Sequence, residues 1–121
     1  MTYSNNDLLF VPLGGSGEIG MNVNLYHYRG RWIMVDLGIS FPDENTPGID
    51  VVLPDLSFIA DRREALDGLV LTHGHEDHLG AIPYLWSQLG CPVYGTAFTL
   101  ALLRRKLTET RGDFDIPLIE I

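Results

Sequence analysis

The stretch that most constrains this chain is Gly68-Leu69-Val70-Leu71-Thr72-His73-Gly74-His75-Glu76-Asp77-His78-Leu79-Gly80. Its first half, Leu69 to Leu71, is a short apolar run that reads as a buried strand. Its second half holds three of the chain's four histidines and the carboxylate of Asp77. In extended chain, residues two apart face the same way. His73, His75 and Asp77 can therefore converge beyond the strand's end, while His78 faces another direction. The spacing suits one metal ion on His73 and His75 and a second on Asp77 and His78. Imidazole and carboxylate suit zinc, manganese or iron, and the lack of thiolate argues against a Cys-rich structural site. The helical zinc motif, with histidines at i and i+4, is excluded by the spacing. Four ligands on one loop do not close a binuclear site. A bridging carboxylate and one or two further histidines are expected from elsewhere. The bland alternative is a polar loop that is histidine-rich by chance. Isolated histidines are common, but a spaced set directly after a buried strand is not.

A length of 121 residues suits one small domain rather than two. Apolar residues make up 45%, enough for a core. No run of eighteen apolar residues is present, so no membrane span is expected. The N-terminus, Met1 to Asp7, is polar and does not read as a signal peptide. The one cysteine, Cys91, rules out an internal disulfide and fits a reducing, cytoplasmic setting. It lies between Gly90 and Pro92 and reads as a small buried residue rather than a nucleophile. The net charge is −8 and the pI near 4.7. Taken alone, that balance argues against a nucleic-acid face, which should be basic. Bound divalent ions would offset part of it. The basic cluster Arg104-Arg105-Lys106 reads as helix C-terminal cations favoured by the dipole, in preference to a phosphate site.

Asp7 to Leu13 reads as a first strand, followed by the glycine-rich loop Gly14-Gly15-Ser16-Gly17-Glu18-Ile19-Gly20. A dinucleotide fingerprint would need a helix next. Asn22 to Tyr28 instead alternates as a strand, so the loop is a tight connection or one wall of an active site. Arg29-Gly30-Arg31 turns the chain into a return strand, Trp32 to Asp36. His27 reads as an ordinary strand histidine. Asp36, ending a strand before Leu37-Gly38, suits the site's edge, where it can accept a hydrogen bond from a metal-bound histidine and fix its tautomer. Ile39 to Pro54 is irregular and long, the kind of loop that is functional or disordered. Asp55 can cap a short helix from Leu56 to about Ala60. Gly80 to Leu89 has helical spacing, with Pro83 near its start. A short strand follows at Pro92 to Gly95. Thr96 can then cap a helix over Ala97 to Leu107 with Phe98, Ala101 and Leu102 on its apolar face and Gly112 beyond it. A last strand is expected within Asp113 to Ile121. The element order is β-β-β then α-β-α-β-α-β, an α/β chain with a mixed sheet and helices on one face.

The motif His73-Gly74-His75-Glu76-Asp77-His78, after an apolar strand and Asp36-Leu37-Gly38, resembles the metallo-β-lactamase superfamily. Leu13 to Asn22, Thr72 to Leu85 and Val93 to Leu102 narrow the resemblance to ribonuclease J and its β-CASP relatives. The resemblance implies the N-terminal half of an αββα sandwich, and residues 1–121 as a single partial domain. The second half of the fold and the β-CASP domain are expected in a longer chain, and this piece alone is expected to be inactive. The implied activity is metal-dependent ribonuclease action in RNA processing and decay, including rRNA processing. It would be 5′-to-3′ exonucleolytic and also endonucleolytic, on RNA with a 5′-monophosphate end. The implied cofactors are two divalent ions, zinc first, with manganese or magnesium in some members. His73 and His75 would hold one ion, Asp77 and His78 the other, with Asp36 behind the ligands. Asp77 and His78 would be catalytic, and a metal-bound hydroxide would attack the phosphodiester. A homo-oligomer without membrane attachment is expected for the full-length protein.

Two other readings compete. The superfamily also hydrolyses thioesters and lactones, and fold does not fix reaction. The chain can also be pictured as a non-catalytic metal-binding or interaction fragment whose apolar sheet face meets a partner.

Overall fold

The computed structural model describes residues 3–14, 21–39, 53–110 and 115–121. The glycine-rich segment after Gly14, most of the long loop before Leu53, and Gly112 lie outside the described residues. The strands are β1 (Leu9–Gly14), β2 (Val23–Tyr28), β3 (Arg31–Val35), β4 (Leu66–Val70), β5 (Val93–Gly95) and β6 (Leu118–Glu120). The α-helices are α1 (Ser57–Ala60), α2 (Glu76–Leu79), α3 (Ile82–Leu85) and α4 (Ala97–Glu109). Short 3₁₀ turns occupy Arg63–Ala65 and Trp86–Gln88.

The six strands form one sheet in sequential order, β1-β2-β3-β4-β5-β6. The first three are antiparallel, and β3 through β6 run parallel. The change of sense follows from the connections. A short turn at Arg29-Gly30 returns β2 directly into β3, and both residues adopt positive φ, 53° and 76°. A helix-containing crossover separates each later pair, as parallel pairing requires.

Alternation then decides what each face meets. Val23 and Leu25 of β2, Trp32 and Met34 of β3, Leu69 of β4 and Val93 of β5 are buried. They share one core with Ile59, Leu79, Ile82, Leu100 and Leu103 from the helices. Burying each such side chain contributes about 1.5–3 kcal/mol. The opposite face keeps apolar side chains in the open. Phe10 is 51% exposed, Tyr26 41% and Ile33 40%, and these three sit in register across β1, β2 and β3. The mixed sheet with helices on one face is as expected.

Several local expectations shift. Strand β4 begins at Leu66, three residues before the apolar run, because Leu66 pairs with Trp32 of β3. The segment from Gly80 to Leu89 is not one helix. It divides into α3, with Pro83 in its first turn, and the 3₁₀ turn at Trp86–Gln88. In α4, Thr96 caps as expected, its hydroxyl accepting from the Thr99 N–H at 3.2 Å. The buried stripe, however, is Thr99, Leu100 and Leu103 rather than Phe98, Ala101 and Leu102. Phe98 is exposed, because the sheet meets the stripe about one residue further round the helix.

Candidate metal centre

The histidine segment leaves β4 at its carboxyl end, where open parallel sheets commonly hold their sites. It is held there mostly by backbone. The residues following β3 run beside it: the Leu37 N–H donates to the His78 carbonyl at 2.7 Å, and the Ile39 N–H to the Glu76 carbonyl at 3.0 Å. In return the Ala81 N–H donates to the Leu37 carbonyl at 3.0 Å. This contact is so close that a Cβ on Gly38 would overlap the Asp77 carbonyl. Glycine at 38 is therefore a steric requirement. Helix α4 closes the other side. Leu102 fills the space a Cβ on Gly74 would need. Lys106 Nζ donates to Glu76 Oε1 at 2.8 Å, with Oε2 at 2.7 Å held by charge rather than by an aligned hydrogen bond.

The extended geometry expected across the whole motif is found only in part. His75 is extended, with ψ 155°, and then the chain turns into α2 at Glu76–Leu79. Asp77 and His78 thus lie on a helical turn, and alternation does not govern Asp77. The turn brings His78 back over His73, their ring centroids 4.5 Å apart, with His73 and His75 at 5.9 Å.

Asp36 sits at the heart of the polar network. It is 4% exposed and adopts φ 66°, a left-handed conformation that Asp and Asn tolerate best among residues with a side chain. Its Oδ1 accepts from the Thr72 N–H at 2.8 Å, and its Oδ2 from the Thr72 hydroxyl at 2.7 Å and from His78 Nδ1 at 2.8 Å. A carboxylate only accepts, so His78 carries a proton on Nδ1, and the neutral ring has its lone pair on Nε2. The Thr72 hydroxyl spends its proton on Asp36, so it accepts from His73 Nδ1 at 3.1 Å. His73 is then also the Nδ1–H tautomer, with Nε2 available. Thr72 was not singled out from the sequence, because a lone threonine carries no ligand signal.

His78 Nε2 lies 3.5 Å from Asp77 Oδ2. Two ligands on one tetrahedral ion with bonds of about 2.1 Å stand about 3.4 Å apart. In kind, tautomer and spacing these donors fit a divalent ion. Among the described residues, no group of three His, Cys, Asp or Glu side chains is already arranged to hold one.

The other candidates lie apart from this cluster. His27 pairs with Leu9 and Trp32 towards the far end of β2, is 1% exposed, and donates from Nδ1 to the Asp7 carbonyl at 2.8 Å. Cys91 is buried, which pushes its thiol up to about 11 and leaves it protonated and unreactive near neutrality. In the basic cluster, Lys106 serves Glu76, and Arg105 pairs with Glu109 at 3.2 Å.

The metallo-beta-lactamase superfamily model matches residues 17–118. The chain belongs to that superfamily, and membership implies divalent metal ions. Within it, the chain is 46% identical to ribonuclease J of Sinorhizobium meliloti over 118 residues, 94% of the chain and 21% of that protein. It is 44% identical to ribonuclease J of Mycobacterium tuberculosis over 109 residues, 89% of the chain and 20% of that protein. The resemblance to ribonuclease J drawn from the motifs is thereby borne out. The chain spans about a fifth of the length of these curated relatives. Among solved structures, a chemotaxis sensor, ODP, described as a peroxy diiron species, shares the fold with a TM-score of 0.58 at 16% identity, covering 98% of this chain and 43% of that one. No helix among the described residues is long and apolar enough to cross a membrane.

Proposed function

We propose that this chain is the amino-terminal portion of a metal-dependent ribonuclease of the ribonuclease J kind, carrying half of its binuclear centre. The observation that carries this is the pairing of Asp36 with His78 beside the His73 ring, at the end of a strand whose sequence context matches ribonuclease J. His73 and His75 hold one ion, and Asp77 and His78 the other. Zinc suits these donors best, and manganese or magnesium is the alternative. Bound divalent ions would supply charge neutralisation and an activated water at neutral pH. The chain's own groups do the rest. Asp36 keeps the His78 proton on Nδ1, so that Nε2 faces outward. Thr72 does the same for His73. Asp77 and His78 flank the position where the scissile phosphate would sit. The substrate is RNA with a 5′-monophosphate end, cut both from that end and internally in RNA processing and decay. The setting is the cytoplasm, and the assembly a homo-oligomer.

The remaining ligands belong to a second sheet that covers the open face at Phe10, Tyr26 and Ile33, completing the sandwich. An apolar sheet face this exposed is unusual in a finished domain. The test is cleavage of 5′-phosphorylated RNA by the intact protein, beside the same assay on a thioester. His75→Ala is expected to lower RNA cleavage by about a hundredfold or more, at or above the upper end of what losing a group that only orients a ligand costs. Unchanged cleavage, or turnover of the thioester alone, would overturn the proposal.

A further inference from the structure

We infer that Asn22 is a positioning residue for the proposed centre, fixing the carboxylate of Asp77. The inference rests on the metal reading above and concerns a residue outside the histidine motif. Asn22 precedes β2 and lies across from the segment that follows β3. Its backbone is tied on both sides: its N–H donates to the Asp77 carbonyl at 3.0 Å, and its carbonyl accepts from the Gly38 N–H at 3.2 Å. Just before it, Met21 takes the left-handed conformation, φ 49°, and its N–H donates to the Ile39 carbonyl at 3.1 Å. The side chain therefore projects from a fixed platform.

The two side-chain amide hydrogens are used differently. Nδ2 donates to the Asp77 carbonyl oxygen at 3.0 Å and to Asp77 Oδ2 at 3.3 Å. The first bond holds the main chain of the α2 turn. The second reaches the carboxylate oxygen that stands 3.5 Å from His78 Nε2. One amide thus links the backbone and side chain of Asp77 and limits the rotation of its carboxylate. Any residue but proline at 22 can keep the backbone bonds, but only a side chain with a donor of this length makes the other two. An aspartate at the same position would set a second negative charge against Asp77. Asn22 sits 55 positions from Asp77, and nothing in local spacing signals the pairing.

The test uses the intact protein with cobalt as the probe, followed by its ligand-field absorption. Asn22→Ala should weaken the Asp77-dependent ion roughly tenfold, the scale of losing a group that orients a ligand. Asn22→Asp should weaken it further. In an Asp77→Ala background, which leaves Nδ2 no side-chain acceptor at 77, Asn22→Ala should add less than about twofold to the remaining cobalt affinity, because the coupling is gone. An equal penalty in both backgrounds would reduce Asn22 to a structural role and overturn the inference. A second readout needs neither metal nor a folded Asn22 variant. In the metal-free wild type, both Asn22 side-chain amide protons should be protected from exchange and shifted, and Asp77→Ala should remove the protection and shift of the proton that meets Oδ2 while leaving the one on the Asp77 carbonyl. Unchanged signals would overturn the inference. Absence of cobalt binding by the wild type, with those signals behaving as expected, would count against the metal reading and leave Asn22 as the residue that holds Asp77.

Discussion

Asp36 shows how much one side chain can organise. It collects three hydrogen bonds in a buried position, two from Thr72 and one from His78. Each bond to a charged acceptor contributes about 1.5–3 kcal/mol, and the set is not additive. Asp36→Asn is the informative substitution, since Asn also accepts the left-handed φ of 66°. It replaces an acceptor-only group with one that must point a donor at another donor. The expected result is a loss of about 2–3 kcal/mol in chemical unfolding and a metal affinity lower by about tenfold or more. Stability and affinity both within error of wild type would remove Asp36 from the account. His73, His75, Asp77 and His78 could be nominated as ligand candidates because chemistry at fixed short spacing is a local signal, and Asp36 because a carboxylate ends a strand just before a glycine. Asn22 and Thr72 could not, since their roles depend on contacts 55 and 36 positions away.

At the scale of elements, the parallel run from β3 to β5 and the turn α2 decide where the motif sits. Strand alternation was easy to read in β2 and β3, where one face is buried and the other open. The α2 turn was harder, because four residues give no periodicity to detect. The apolar face of α4 was misjudged for a related reason. With Phe98, Leu100, Ala101, Leu102 and Leu103 all in one short stretch, sequence allows several stripes, and only the sheet selects one. The tightest joint between elements is Gly38 against the Asp77 backbone. Neither partner is a flexible side-chain end, so relief requires moving backbone. Gly38→Ala is expected to destabilise by about 2–3 kcal/mol, by parting the segment after β3 from the motif. Thermal unfolding measures this, and a stability equal to wild type would mean that the joint is looser than described.

For the whole molecule, the mixed sheet and one helical layer followed from pattern alone, and the superfamily from the motif. The acidic balance pointed away from RNA, and a net charge of −8 still describes this chain. The charge balance is that of a chain spanning about a fifth of the length of its curated relatives, so it does not bear on the RNA substrate proposed above. What no local pattern in this sequence supplies is the rest of the ligand set. The central claim is that His73 to His78 form part of a binuclear metal centre, and elemental analysis of the intact protein tests it most directly. Two equivalents of divalent metal are expected in the wild type, falling by at least one when His73 and His75 are both replaced by alanine. A metal-free wild type, or a metal content unaffected by that double substitution, would contradict it.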